Sequence, residues 1–175
     1  PTGIGVLYGK RELLDAMPPY MGGGDMVDKV TFEGTTYAPL PLKFEAGTAN
    51  FVGAATLAKA IDFLAGYSDL IEYEETLLRY ATERLQSIEG LKIYGVAENK
   101  TPIVCFNVEG CNHYDIGMIL DKLGVAVRTG QHCAEPVMAH YAVTGMCRAS
   151  IAMYNTREEM EALHRGVERA VRMLR

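Results

Sequence analysis

The spacing of apolar residues divides the chain into two stretches of different character. From Gly90 onward it predicts short alternating elements, with strands at Leu91–Tyr94, Pro102–Val108, Val125–Val127 and Cys147–Met153 and a helix at Tyr114–Leu123. Pro136–Tyr141 reads as a turn of helix, and Thr156 caps a closing helix to Met173 with Glu159 at the capping-box position. Between Asp69 and Ser87 the residues Ile71, Leu77, Leu78, Ala81 and Leu85 recur at helical spacing and define one apolar side. Gly66-Tyr67-Ser68 separates that helix from one that Asn50 caps and that runs through Ala60 to Ala65. Upstream the pattern weakens. Gly3–Tyr8 reads as a short buried strand, Lys10–Met17 as a helical turn stopped by Pro18-Pro19, and residues 20–46 show no sustained period. Long ordered excursions of that kind tend to be functional. The expected fold class is α/β, with a small domain over residues 67–175 built on few, mainly antiparallel strands, and residues 1–66 belonging elsewhere.

The most informative stretch for chemistry is Val125-Ala126-Val127-Arg128-Thr129-Gly130-Gln131-His132-Cys133-Ala134-Glu135-Pro136. A short apolar run ends in an arginine, and His-Cys sits in a loop before a proline that can open a helix. Cysteine is a nucleophile only as thiolate, and a nearby cation or a helix N-terminus favours that form. Arg128, His132 if protonated, and the turn at Pro136 all offer such help. The bland alternative is a small buried residue, since free cysteine is among the most buried types. A loop with polar neighbours argues against burial.

Arg128 and Arg148 each end or interrupt an apolar strand. An arginine so placed costs desolvation unless it meets an anion, and its planar fork suits a carboxylate. The residues alone leave two readings open for each, a structural ion pair with one of the 22 acids or a contact to substrate. Phe44-Glu45-Ala46-Gly47-Thr48-Ala49-Asn50 puts Gly-Thr just before a helix, where backbone N–H groups and a hydroxyl can bind an anion, though a plain cap and turn has the same look.

Composition narrows the field further. Hydrophobic residues make up 49% and charged residues 22%, with a net charge of -5 and basic residues scattered, so no nucleic-acid partner is expected. No apolar run approaches the ~20 residues of a membrane span, and no signal peptide opens the chain. Cys105, Cys111, Cys133 and Cys147 have neither CxxC spacing nor disulfide-rich density, which points to a reduced, cytoplasmic protein. No His or Cys pair has metal-ligand spacing, so no metal is expected. The glycines near Pro1 lack the P-loop spacing, and no Gly-x-Ser-x-Gly is present. The opening at Pro1, without methionine, suggests a fragment, a processed chain or a trimmed one.

Five motifs occur together and in order: Pro1-Thr2-Gly3-Ile4-Gly5, Gly22-Gly23-Gly24, Phe44-Glu45-Ala46-Gly47-Thr48, Arg128-Thr129-Gly130-Gln131-His132-Cys133-Ala134 and Cys147-Arg148-Ala149-Ser150. On these the chain resembles the C-terminal part of a group II cysteine desulfurase of the sulfur-mobilisation type, in the class V aminotransferase superfamily. The selenocysteine lyases share most of them, and a selenocysteine lyase or another class V aminotransferase-like enzyme with a different substrate is the enzymatic alternative. Gln131 departs from the pattern, since many members have a second histidine there. The resemblance implies the C-terminal portion of a fold-type I pyridoxal-phosphate transferase: residues 1–66 as the tail of the large cofactor-binding domain and residues 67–175 as the small domain. It implies that Cys133 takes sulfur from L-cysteine as a persulfide, that Arg148 holds the substrate carboxylate, and that Arg128 and His132 line the same pocket. Gly47 and Thr48 are implied to reach the cofactor phosphate of a neighbouring subunit in a homodimer, with the sulfur going to an acceptor protein for iron–sulfur cluster assembly. The family's Schiff-base lysine lies in a Ser/Gly-His-Lys context just upstream of the first motif, and no lysine of this chain has that context. The chain by itself is therefore expected to be inactive and not to hold the cofactor, a sulfur-carrier module being the non-catalytic alternative.

Overall fold

The computed structural model describes residues 3–175, so the Pro1-Thr2 part of the first motif lies outside it. The chain divides into two compact units, Pro1–Ser68 and Asp69–Arg175.

The first unit holds helix α1 (Arg11–Ala16), a hairpin of β1 (Val27–Val30) and β2 (Thr35–Tyr37), a 3-10 turn at Leu42–Phe44 and helix α2 (Phe51–Ala65). The strand expected at Gly3–Tyr8 is absent: the segment is irregular, with Val6 83%, Leu7 69% and Tyr8 90% exposed. Apolar side chains alone do not make a strand when no neighbouring strand offers its hydrogen bonds. The hairpin, by contrast, escaped the hydrophobic pattern because all but one of its residues are exposed on both faces. Asn50 caps α2 as expected, its side-chain oxygen accepting from Gly53 N at 2.8 Å. Gly53 is the one buried residue of that helix.

The second unit is two-layered. Helix α3 (Leu70–Gln86) leads into strands β3 (Leu91–Tyr94) and β4 (Ile103–Val108), then helix α4 (His113–Lys122), strand β5 (Arg128–Gly130), helix α5 (Glu135–Tyr141), strand β6 (Met146–Ser150) and helix α6 (Arg157–Leu174). The sheet order is β3-β4-β6-β5 and every pairing is antiparallel. Strand β5 does not lie at 125–127: the ladder starts at Arg128, where β6 supplies its partner, while Val125 and Val127 pack half-buried against the core. Likewise β6 ends at Ser150, short of Met153.

Helices α3, α4 and α6 cover one sheet face, and Val104, Phe106, Val108, Cys147 and Ala149 point into the core between the layers. Each large side chain so buried contributes roughly 1.5–3 kcal/mol. Of the expected apolar side of α3, Leu77, Leu78, Ala81 and Leu85 are buried, whereas Ile71 is 73% exposed in the first turn. Thr156 and Glu159 form the capping box of α6.

Candidate active site around Cys133

Alternation along β4 and β6 decides what faces away from the helices. With Cys147 and Ala149 in the core, Arg148 between them points to the open face, as does Cys105 between Val104 and Phe106. The register places Cys105 opposite Arg148 and Arg148 opposite Arg128, so two guanidinium side chains stand abreast on neighbouring strands. Like charges so paired repel unless an anion joins them. Among the described residues the ion pairs are Lys59–Asp62, Arg84–Glu161 and His164–Glu168, so neither arginine has an acid within 4.0 Å. Arg148 Nε is moreover buried without a hydrogen-bond partner. The structural ion pair left open above is not formed.

Cys133 is exposed, and Arg128 Nη2 donates to its Sγ at 3.6 Å. His132 and Cys133 both adopt positive φ, 57° and 58°, a conformation that costs a non-glycine residue about 1 kcal/mol or more. The turn is held at its two ends. On one side Gly130, at φ 110°, lies so close to the Tyr114 hydroxyl that a Cβ there would be 3.0 Å from it. On the other, Ala134 opens the seven-residue helix α5, which Met138 anchors in a cluster with Tyr94 and Met146. Gln131 donates to Glu135 at 3.3 Å across the loop.

His132 is not the cation that the sequence offered. Burial holds its pKa below the ordinary histidine range, and Arg148, Arg128 and His113 push the same way, against the bond to Met146 O. It is neutral near pH 7. Its Nε2 faces Met146 O at 3.1 Å and its buried Nδ1 has no partner. His113 is lowered as well, chiefly by burial. Both groups bind protons more readily unfolded, near pH 6.5, than folded. Stability should therefore fall as pH drops below about 6.5 and through the lower folded values. Urea unfolding between pH 7.5 and 5 checks this, and His113→Gln should flatten part of the slope.

The other thiols sit differently. Burial pushes Cys147 up to about 12, and it donates to His113 O at 3.3 Å. Cys105 is raised by burial and lowered less by Arg148 and Lys100. Cys111 is half-buried beside the α4 N-terminus, in an isolated bridge with Val108.

The sequence pattern did not reveal several supporting residues. A Cβ on Gly117 of α4 would collide with Thr129 Cγ2, so that glycine lets the helix approach the strand carrying Arg128. A lone glycine inside a helical pattern was the available signal. A cavity of about 610 Å³ in this unit is lined by Lys92, Asn107, His113 and Gly145 among others and does not include Cys133.

Gly47 and Thr48 belong to the first unit. Gly47 has φ 81°, and its N–H donates to Gly24 O at 2.9 Å. A Cβ on Gly23 would lie 3.1 Å from Gly47 N and 3.2 Å from Ala46 Cβ, so the middle glycine of the three serves close backbone approach. Thr48 is exposed, two residues before the cap of α2.

Among the described residues no helix is long and apolar enough to cross a membrane, and no group of three or more His, Cys, Asp or Glu is arranged to hold a metal.

The second unit is thus an antiparallel sheet with helices on one face and an exposed cysteine beside Arg128 in the loop after β5, and similarity to known proteins gives the family. Residues 1–163 match the aminotransferase class-V family, and the chain belongs to that family. It is 48% identical over 177 residues to a cysteine desulfurase of Pectobacterium carotovorum and 49% identical to one of Klebsiella pneumoniae, in each case over 99% of this chain and 43% of the relative. The chain thus spans less than half the length of these relatives. Its fold matches the crystal structure of the Escherichia coli cysteine desulfurase CsdA, in an S-sulfonic acid form, with a TM-score of 0.91 and 41% identity over 100% of this chain and 44% of that one. The apo cysteine desulfurase of Thermococcus onnurineus aligns with a TM-score of 0.91 and 36% identity, over 99% of this chain and 44% of that one. The fold is that of the C-terminal part of a fold-type I enzyme of this family.

Proposed function

We propose that this chain is the sulfur-accepting part of a cysteine desulfurase, in which Cys133 takes the sulfur of L-cysteine. The observation that carries the reading is the pair Arg128 and Arg148, abreast and without acid partners, with Cys133 Sγ 3.6 Å from Arg128 Nη2. Arg148 binds the substrate carboxylate with its fork. Arg128 directs a guanidinium donor at the Cys133 sulfur, 3.6 Å away. The thiolate attacks the substrate sulfur: an S–S bond forms, the Cβ–S bond breaks, and its electron pair leaves with the carbon fragment, which takes up one proton from solvent at Cβ to become L-alanine. The persulfide on exposed Cys133 is then passed to an acceptor protein for iron–sulfur cluster assembly.

Pyridoxal phosphate, when bound, supplies an electron sink for the substrate's carbon skeleton. The donors of this chain suit only part of that group. The Thr48 hydroxyl, at the approach to the α2 N-terminus, fits a phosphate, while the Gly47 N–H is already engaged by Gly24 O. None of Lys10, Lys29, Lys43, Lys59, Lys92, Lys100 or Lys122 stands in a His-Lys context. Pyridoxal phosphate added to this chain alone should leave no stoichiometric visible absorbance after desalting, and a stable yellow species would show that one of these lysines takes the role.

Homodimer formation fits the first unit. Tyr8, Phe32 and Phe51 are exposed there and are open to a partner's contact. The complete protein should release alanine from L-cysteine. A preference for selenocysteine by orders of magnitude would turn the reading to the lyase.

A further inference from the structure

The residue before the carbonyl that faces His132 is approached from two sides by groups outside the cysteine loop. A carbonyl only accepts, so the Met146 O contact at 3.1 Å requires the proton on His132 Nε2 and leaves Nδ1 bare. Wherever Met146 O goes, the ring follows. Met146 adjoins Gly145, and Asn107 of β4 donates Nδ2 to Gly145 O at 2.9 Å from the sheet side. From the helix side comes His113, the first residue of α4. A Cβ on Gly145 would overlap its Nε2 and lie 2.7 Å from its Cε1, with Gly130 C at 3.1 Å. The imidazole fills the space that any side chain at 145 would need.

His113 is 7% exposed and its Nε2 has no partner. Burying an unpaired ring nitrogen is unfavourable, and an apolar residue would complete the α4 packing without that cost. The position therefore needs an explanation beyond the core.

We propose that His113 is a positioning residue for the cysteine loop: with Asn107 it clamps Gly145–Met146, and through the Met146 carbonyl it fixes the His132 ring and the left-handed turn that presents Cys133. Its consequence for sulfur transfer rests on the reading of Cys133 given above, but the geometry does not.

The test compares His113→Ala, Gly145→Ala and the double variant in ¹⁵N-labelled protein. Two readouts are taken, the nitrogen shifts of His132 and the rate at which limiting iodoacetamide modifies Cys133, with Cys111 as internal control. Each single change should move His132 from one Nε2–H tautomer to a mixture. Each should slow Cys133 alkylation about three- to tenfold, the factor one ordinary hydrogen bond supports, and leave Cys111 unchanged. Removing the ring relieves the two closest contacts of the methyl that Gly145→Ala introduces and leaves only the 3.1 Å approach to Gly130 C, so the double variant should lose less than the product of the single effects. Multiplying effects, or His132 signals that stay at their parent positions in His113→Ala, would overturn the proposal. If Gly145→Ala does not fold, His113→Phe replaces it, keeping the ring's volume without its nitrogens. Parent-like His132 signals there beside displaced ones in His113→Ala support the clamp, and identical signals in both refute it. Persulfide formation on Cys133 is read in a separate assay, so failure of the desulfurase reading leaves these signals in place.

Discussion

Cys133→Ala is expected to stop sulfide release from L-cysteine in the complete protein, while Cys111→Ala leaves it near the parent rate. Cys133 alone among the four cysteines is exposed with a guanidinium donor at its sulfur. Cys147 is buried in the core with its pKa pushed to about 12, and Cys105 is raised by burial as well, so neither forms thiolate readily near neutrality. Cys111 has no cation contact among the hydrogen bonds of its loop. Loss of a covalent nucleophile commonly costs several orders of magnitude, because the residues around it act as one unit. Alanine and sulfide assayed together give the comparison. Equal activity in the two variants would sink the assignment of Cys133.

Arg148→Lys should weaken saturation by L-cysteine on the order of ten- to a hundredfold, with protein stability near the parent value. Lysine keeps the charge but loses the fork, and a hydrogen bond to a charged group contributes ~1.5–3 kcal/mol. Arg148 has no acid partner and its Nε is unpaired, so little structure depends on its guanidinium. Arg165→Lys, on the exposed side of α6, is the control. A KM unchanged in Arg148→Lys would return that residue to a structural role.

Local chemistry was legible where it depends on neighbours in sequence. The Asn50 cap, the Thr156–Glu159 capping box and strand β3 stand where periodicity and cap residues put them. Errors arose where tertiary partners decide. The run Val125-Ala126-Val127 is apolar because it packs on the core, whereas the strand begins where β6 can pair with it, at Arg128. Gly3–Tyr8 looked buried from composition, yet nothing among the described residues covers Val6 or Tyr8. The site split the same way. Arg128 and Cys133 were visible as one short motif, but the alignment of Arg128 with Arg148 and Cys105 is a matter of sheet register. The protonation of His132 follows from burial and from two arginines brought to it by the fold, which no local pattern reports. His113 and Gly145, far apart along the chain, meet only in three dimensions.

One thiol, Cys133, is held to carry the transferred sulfur. The most direct measurement incubates the complete protein with L-cysteine, traps persulfides with an alkylating reagent and maps them by peptide mass spectrometry. The expected result is a single added sulfur on the peptide containing Cys133, with Cys105, Cys111 and Cys147 unmodified. A persulfide on Cys105 or Cys111 instead, or alanine formed with no sulfur ever found on Cys133, would contradict it.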